Sequence, residues 1–402
     1  MTKSNISDTD YARLKRQFLD YFLKNLSSDE YLGLELEHFV VKKDTHEFVS
    51  YYEPYGVQYV LKQLEPLFDT STVVDGEYLI GLQRPNFEVS LEPGAQLEVS
   101  IVKLGTVQEI YHEYLQFRSE VDPILDRLGY ELVTYGYHPT AMANDIPLLP
   151  KARYRHMDAR FRALGGHGVQ MMRGTAAVHV SIDFRDNADF SDKYRVANFI
   201  VPILAYMTDN CISFEGQPSE ALTRVQIWKD TDVERSGLVP HCISPSFDLQ
   251  KYTDYLLNIN PMFVLKDGEL YPTDKTTAEA YKDINLTDTD IEHLLSIVFN
   301  FVRLKHYIEI RVADSMPILQ TLKYTALLKG IFYSQTNIDS LLHKMQKYTT
   351  HDTNDALDQL QLHKQNAIVY GLPIQQWVDE LYFMARQGLK GDSDIQYLND
   401  IV

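Results

Sequence analysis

The chain has 402 residues, 45% of them apolar and 23% charged, a globular composition that excludes a disordered or fibrous protein. Its 56 acidic residues outnumber 38 basic ones, giving a formal charge of −18, and a field of that sign repels nucleic acid and anionic lipid, so neither is expected as a partner. Two cysteines, Cys211 and Cys242, form neither a disulfide framework nor a CxxC pair, and two reduced thiols favour the cytoplasm.

The N-terminal residues up to Tyr11 are polar and show no basic and apolar signal regions, so secretion is not expected. In chain order, Tyr11, Leu14, Phe18, Tyr21, Phe22 and Leu26 recur at helical spacing behind Ser7 and Asp8, which predicts an amphipathic helix over Asp8–Leu26. The same spacing predicts helices over Val57–Phe68, over Val107–Leu128 before Gly129, over Asp192–Met207, and through most of the chain after Pro317. Ile200–Met207, the longest apolar stretch, contains Pro202 and falls far short of the ~20 residues that a membrane span needs.

Four segments alternate with a period of two: Leu32–Val41, Phe87–Val102, Ala176–Phe184 and His306–Val312. Long helical and irregular stretches separate them, which excludes a hairpin meander. The class expected is α+β, with a mostly antiparallel sheet and helices on one face. Segment 209–290 carries many turn residues, among them Gly216, Pro218, Gly237 and Pro240, and could supply loops over a site. No repeat or flexible linker divides the chain, so residues 1–402 read as a single domain with a C-terminal helical subregion over 320–402.

Residues i and i+2 of a strand share a face, so each alternating segment can be split in two. Leu34, Leu36, His38 and Val40 oppose Glu35 and Glu37; Leu97, Val99 and Ile101 oppose Glu98 and Ser100, with Glu92 alternating likewise upstream. Val178, Val180 and Ile182 oppose His179, Ser181 and Asp183, and Ile308, Ile310 and Val312 oppose Glu309 and Arg311. Joined in one sheet, the polar faces would gather Glu35, Glu37, Glu92, Glu98, His179, Glu309 and Arg311. Carboxylates so grouped repel one another unless a cation sits among them, and carboxylates with one imidazole and no thiolate suit a hard ion, Mg²⁺ or Mn²⁺.

A second feature points to an anionic ligand. Between Lys151 and Arg173 there are six basic residues, Lys151, Arg153, Arg155, Arg160, Arg162 and Arg173, against the single acid Asp158. The glycines of Leu164-Gly165-Gly166-His167-Gly168 could admit phosphate near the backbone, but no Lys-Ser/Thr follows and this is not a P-loop. Metal-binding carboxylates beside fixed cations are what phosphoryl transfer requires, which brings the residues alone as far as a Mg-nucleotide enzyme.

The stretch Ser90-Leu91-Glu92-Pro93-Gly94-Ala95-Gln96-Leu97-Glu98-Val99-Ser100 resembles the SLEPGGQxELS signature of glutamate–cysteine ligases of the plant and proteobacterial type. Other motifs of that family follow in the same order. Gly33-Leu34-Glu35-Leu36-Glu37 is similar to GxExE, Lys151-Ala152-Arg153-Tyr154 to the start of PKxRYxxM, and Met171-Met172-Arg173-Gly174-Thr175 to MMxxT. Phe214-Glu215-Gly216-Gln217-Pro218, then Arg224, Trp228, Thr231, Asp232, Arg235 and Gly237, resembles FxEGxP and WxxTDxxRxG; Val302-Arg303-Leu304-Lys305 with Tyr307, Glu309 and Arg311 resembles VRLKxYxExRxAD. Two positions depart from the pattern. Ala95 replaces the second glycine of PGGQ, which matters only if that backbone needs a positive φ, and His179 stands where plant members have Gln.

The resemblance implies a glutamine-synthetase-like fold, an antiparallel sheet forming an active-site funnel, and ATP- and Mg²⁺-dependent ligation of L-glutamate to L-cysteine. It implies Glu35, Glu37, Glu92, Glu98, Glu309 and His179 as metal ligands, and Arg311, Glu309 and Arg235 as the catalytic set. Lys151, Arg153, Arg155 and Arg311 would contact nucleotide phosphate, and Arg235, Trp228 and Tyr307 the substrate. Two alternatives stay open: another amine in place of cysteine, and a homologue that binds nucleotide without turnover.

Overall fold

Alternation in the sequence becomes pairing in one sheet. In this computed structural model, residues 6–24, 26–68, 71–266 and 269–399 are described, so the expectations for residues 1–5 and 400–402 lie outside it. The nine strands of this sheet are β1 (Leu32–Lys42), β2 (Ser71–Asp75), β3 (Tyr78–Gln83), β4 (Phe87–Leu91), β5 (Leu97–Leu104), β6 (Tyr130–Val133), β7 (Ala177–Ile182), β8 (Val302–Leu304) and β9 (Ile308–Asp314). They run in the order β8-β9-β7-β1-β5-β4-β3-β2, with β6 pairing the far end of β1, and every neighbouring pair is antiparallel.

The segment read as continuous over Phe87–Val102 is two strands, because Pro93 has no N–H for a ladder and the chain reverses around it. In the turn, the Ala95 N–H donates to the Glu92 carbonyl (2.8 Å) and the Glu92 N–H to the Gln96 carbonyl (3.0 Å). Gly94 presses on the next layer: a Cβ there would lie 2.5 Å from the Arg173 carbonyl oxygen. Ala95 does adopt a positive φ, 63°. That conformation costs a side-chain-bearing residue about 1 kcal/mol, while burial of the Ala95 methyl in the core contributes about 0.8 kcal/mol. Ala95→Gly should therefore shift unfolding free energy by less than about 0.5 kcal/mol in a urea titration, and a change beyond about 1 kcal/mol would show that the two terms do not offset.

Helices close the apolar face. α1 spans Asp8–Leu23, three residues shorter than predicted, and α2 spans Val57–Leu64 before a 3₁₀ turn containing Pro66. α3 covers Val107–Leu128 as predicted, opened by a Thr106/Glu109 capping box and closed by Gly129 at φ 74°. α4 (Ala152–Leu164) and α5 (Gly168–Gly174) follow. α6 covers Asn187–Met207, starting five residues earlier than predicted because the Asp186 carboxylate accepts the N–H groups of Ala188 and Asp189. α7 spans Thr223–Lys229. After Pro317 the chain is helical over Ile318–Phe332, Gln335–Met345, Thr350–His363 and Ile374–Gly388.

α3 packs on β5, α6 on β9, and Ile318–Phe332 on β7, and one apolar core extends from Leu14 to Leu398. The C-terminal helices thus share the core of the sheet. A buried carboxylate ties in the chain end: Asp394 accepts the N–H of Val107 at the start of α3 (2.9 Å) and the Lys329 ammonium (2.7 Å). Among the described residues no helix is long and apolar enough to cross a membrane.

Candidate active site

The polar face of the sheet is a set of rungs. β1 presents Gly33, Glu35 and Glu37; β5 presents Glu98, Ser100 and Val102; β7 presents His179 and Ser181, with Asp183 just beyond its end. Pairing puts Glu35 opposite both His179 and Ser100, Glu37 opposite Glu98, and Glu309 opposite Ser181. Residues scattered over 275 positions of sequence from Glu35 to Glu309 thereby meet on neighbouring strands. The other side of the space is closed by α4, α5 and α7, which contribute Lys151 just ahead of α4, Arg153, Met171, Met172, Arg224 and Trp228.

His179 is the hinge of the electrostatics. Its Nδ1 lies 2.7 Å from Glu35 Oε2 and its Nε2 4.0 Å from Glu37 Oε1. Burial, with the Arg311 charge beside it, lowers its pKa to about 4, so the ring is neutral near pH 7. With its proton on Nδ1, donated to Glu35, the Nε2 lone pair is bare, and that atom is buried without a partner. This is the arrangement in which a carboxylate orients an imidazole for a metal.

The carboxylates divide into two groups. Burial resists ionisation of Glu35, but Lys305 at 3.8 Å and His179 overcome it and hold the group down at about 2. Glu37 is pushed up to about 8 by burial and by Glu92, and Glu98 well above the usual range by burial and by Glu35, Glu92 and Glu37. Glu98 accepts the hydroxyls of Ser90 and Ser100, and Glu37 accepts the Ala177 N–H. Ligand atoms of Glu37, Glu98 and His179 lie within 4.8 Å of one another, as do those of Glu35, His179 and Glu309. Oxygen donors that repel one another, with one bare nitrogen, fit a hard divalent cation.

Glu309, whose ligand atom falls in the second of these groups, is also paired with several cations. It is fully buried and wrapped by cations: Arg303 binds both oxygens (2.7 and 3.1 Å), Lys305 lies at 3.0 Å and Arg311 at 2.9 Å. Those three groups hold its pKa well below the ordinary value against burial. Its geometry is that of a counter-ion that fixes Arg311 and Lys305 at the edge of the cavity.

The space over the face has two lobes that share Glu35 and Glu98. The first, about 250 Å³, holds Glu37, Glu92, His179, Lys151, Arg153, Arg224, Trp228, Lys305 and Arg311. The second, about 450 Å³, is lined by Gly33, Ser100, Val102, Ser181, Asp183 and Tyr307. Tyr307, expected in the substrate pocket, thus belongs to the second lobe. Arg155, expected at phosphate, is exposed and lines neither. Arg235, expected in the catalytic set and at substrate, is fully buried away from both lobes, where it donates to Asp232 (2.7 Å) and to the Ile297 carbonyl. It sits behind the wall, its own carbonyl accepting the N–H of Phe299, which does line the first lobe.

Four groups in the first lobe had no assigned role from sequence. Arg224 is buried, donates to the carbonyls of Arg311 and Val312, and lies 5.9 Å over the Trp228 ring. Arg303 and Lys305 sit on or beside β8, and Gln96 holds the Gly94 N–H and the Thr175 carbonyl. The register of β8 on β9 sets Arg303 opposite Glu309. Trp228 also lines this lobe, and its indole N–H is buried without a partner.

Comparison with known proteins bears on this constellation. Glutamate–cysteine ligase B, chloroplastic, of Oryza sativa subsp. japonica is 28% identical over 391 residues, covering 92% of this chain and 76% of that protein. The chloroplastic glutamate–cysteine ligase of Brassica juncea is 30% identical over 320 residues, covering 77% of this chain and 62% of that protein. A solved glutamate–cysteine ligase of Francisella tularensis in complex with AMP overlays with a TM-score of 0.47 at 12% identity, covering 93% of this chain and 81% of the other. The assignment rests on sequence rather than on that overlay. A model of glutamate-cysteine ligase family 2 matches residues 31–390, a span that holds every strand of the sheet and both lobes, and the chain belongs to that family.

Proposed function

We propose that the chain forms the amide between the γ-carboxylate of L-glutamate and the amine of L-cysteine, with ATP as the activating substrate. A carboxylate is a poor acyl donor, so the γ-phosphoryl group is transferred to it first; the amine then attacks the acyl phosphate and phosphate leaves. The observation that carries this reading is the convergence, in one cavity, of four glutamates, a neutral imidazole and a guanidinium–ammonium pair held by a buried carboxylate.

Glu37, Glu98 and His179, with Glu35 and Glu92 beside them, would hold a divalent cation, Mg²⁺ or Mn²⁺, which when bound supplies charge neutralisation at phosphate oxygens. The remaining steps fall to the protein. Arg311 presents its planar fork where the transferred group must sit, aimed by Glu309, and Lys305 adds a second positive charge. Lys151 and Arg153, expected at nucleotide phosphate, line only the first lobe and together with Arg224 suit the carboxylates of the two amino acids. Met157, Met171, Met172 and Phe299 give that lobe an apolar wall for the acceptor side chain. The nucleoside is left the second lobe. One core joins the sheet to the C-terminal helices, so we treat the chain as one catalytic unit, and the two free thiols support a cytoplasmic setting.

Phosphate release from Mg-ATP and glutamate, measured with and without L-cysteine and paired with the product mass, tests the proposal. Cysteine-dependent release and a γ-glutamylcysteine mass are expected, with both lost on chelation and restored by Mg²⁺. Glutamate-dependent ATP use that cysteine does not stimulate would point to another amine, and no ATP use would overturn the ligase reading.

A further inference from the structure

We infer that Gln96 is a positioning residue for the acceptor amino acid: it fixes how far the wall formed by Met171, Met172 and Thr175 stands from the turn that carries Glu92. The inference rests on the proposed use of the first lobe, in which that wall receives the acceptor side chain. Gln96 lines the lobe yet is only 2% exposed, and its amide is committed to main chain. Its Nε2 donates to the carbonyls of Thr175 (2.8 Å) and Met172 (3.4 Å), and its Oε1 accepts the Gly94 N–H (2.8 Å). Both amide hydrogens are used, so the group has no donor left for a ligand and acts through what it holds.

What it holds lies on the two sides of one seam. On the sheet side, the Gln96 carbonyl accepts the Glu92 N–H and closes the turn between β4 and β5. On the helix side, α5 ends at Gly174, and the last carbonyls of a helix have no partner within it. The Thr175 hydroxyl meets one of them, the Met171 carbonyl (2.7 Å), and the Gln96 amide meets that of Met172 together with the carbonyl of Thr175 itself. One side chain therefore caps the element that carries the methionines and ties it to the turn that carries a carboxylate of the site. The seam is also close: a Cβ on Gly94 would lie 2.5 Å from the Arg173 carbonyl oxygen and 3.0 Å from Gln96 Oε1.

The two sides respond differently when the amide is removed. Glu92 is tied to Gln96 through main chain, which a substitution leaves in place, and beyond Thr175 the chain is anchored by the pairing of β7 and by the Ala177 N–H donating to Glu37 (2.8 Å). Met171 and Met172 lie on the side that loses its cap. The carboxylates and His179 should hold their places while the acceptor wall shifts, and a displacement of an ångström at a substrate-positioning group is enough to be read in kinetics.

The test measures KM for cysteine, glutamate and ATP and the Mg²⁺ activation constant in the wild-type enzyme, Gln96→Met and Gln96→Glu. Gln96→Met, which fills the same length without donors or acceptors, should raise KM for cysteine by about tenfold and leave the other three constants within about threefold. Gln96→Glu keeps the acceptor for the Gly94 N–H but loses the amide hydrogens; it should fall between and serves if the methionine variant does not fold. KM for cysteine within twofold of the wild type in a folded variant, or an equal rise in all four constants, would overturn the positioning role alone. If the wild type uses another amino acid as acceptor, the same split is read on that one. If it consumes no nucleotide, the proposed function fails and this inference with it.

Discussion

Replacing Arg311 by alanine should lower kcat by roughly a thousandfold, the scale on which a single guanidinium acts in phosphoryl transfer. KM for glutamate should change by less than about fivefold, because Lys151, Arg153 and Arg224 line the lobe independently of it. The fold should survive. Glu309 keeps Arg303 and Lys305 when Arg311 is truncated, and the ties of Arg311 to Phe301 and Arg224 are made by its backbone. Arg311→Lys restores charge without the fork and should recover only part of the rate. Steady-state kinetics on both variants decides it: a kcat within tenfold of the wild type for Arg311→Ala would remove this strand from the chemistry.

Glu309→Ala should act on stability as much as on rate. Its removal leaves Arg303 buried beside only main-chain carbonyls, takes the carboxylate from Arg311 and leaves Lys305 only its longer contact to Glu35, and breaking such a buried set costs about 3–5 kcal/mol. A metal ligand behaves in the opposite way. Glu98, crowded by Glu35, Glu92 and Glu37, should lose metal affinity on Glu98→Gln while unfolding free energy without metal holds or rises, because repulsion is relieved. Denaturant unfolding of the two variants without divalent ions separates these roles. Equal stability of Glu309→Ala and wild type would show that its ion pairs add nothing net to the fold.

The contrast between these two glutamates shows what could be read from sequence. A period of two fixes the face of a strand, so Glu35, Glu37, Glu98, His179 and Arg311 were legible as one polar surface, and the α+β class with them. What a neighbouring strand places opposite is not contained in a strand's own pattern. The Arg303–Glu309 pair is set by the register of β8 on β9, and β8 is only three residues long. Helical residues fail differently: Arg153 and Arg155 are two positions apart on α4, about 200° around the axis, so one lines the cavity and the other meets solvent. Arg235 lies after α7 in a turn with no period to read, and its distance from the sheet had no sequence signal.

The tie between Asp394 and Val107 bears on the order in which the molecule can be completed during synthesis. The two residues are 287 positions apart, and at ribosomal speed the first waits roughly 15–60 s for the second. Until then the opening N–H of α3 must be met by water, and Lys329, made later, lacks Asp394. The N-terminal strands can pair on the ribosome, but the helix lying on β5 gains its final cap only once Asp394 has emerged, so a chain stalled short of residue 392 would expose a buried lysine without either of its carboxylates, Asp392 and Asp394, and present quality-control proteases with an unfinished core.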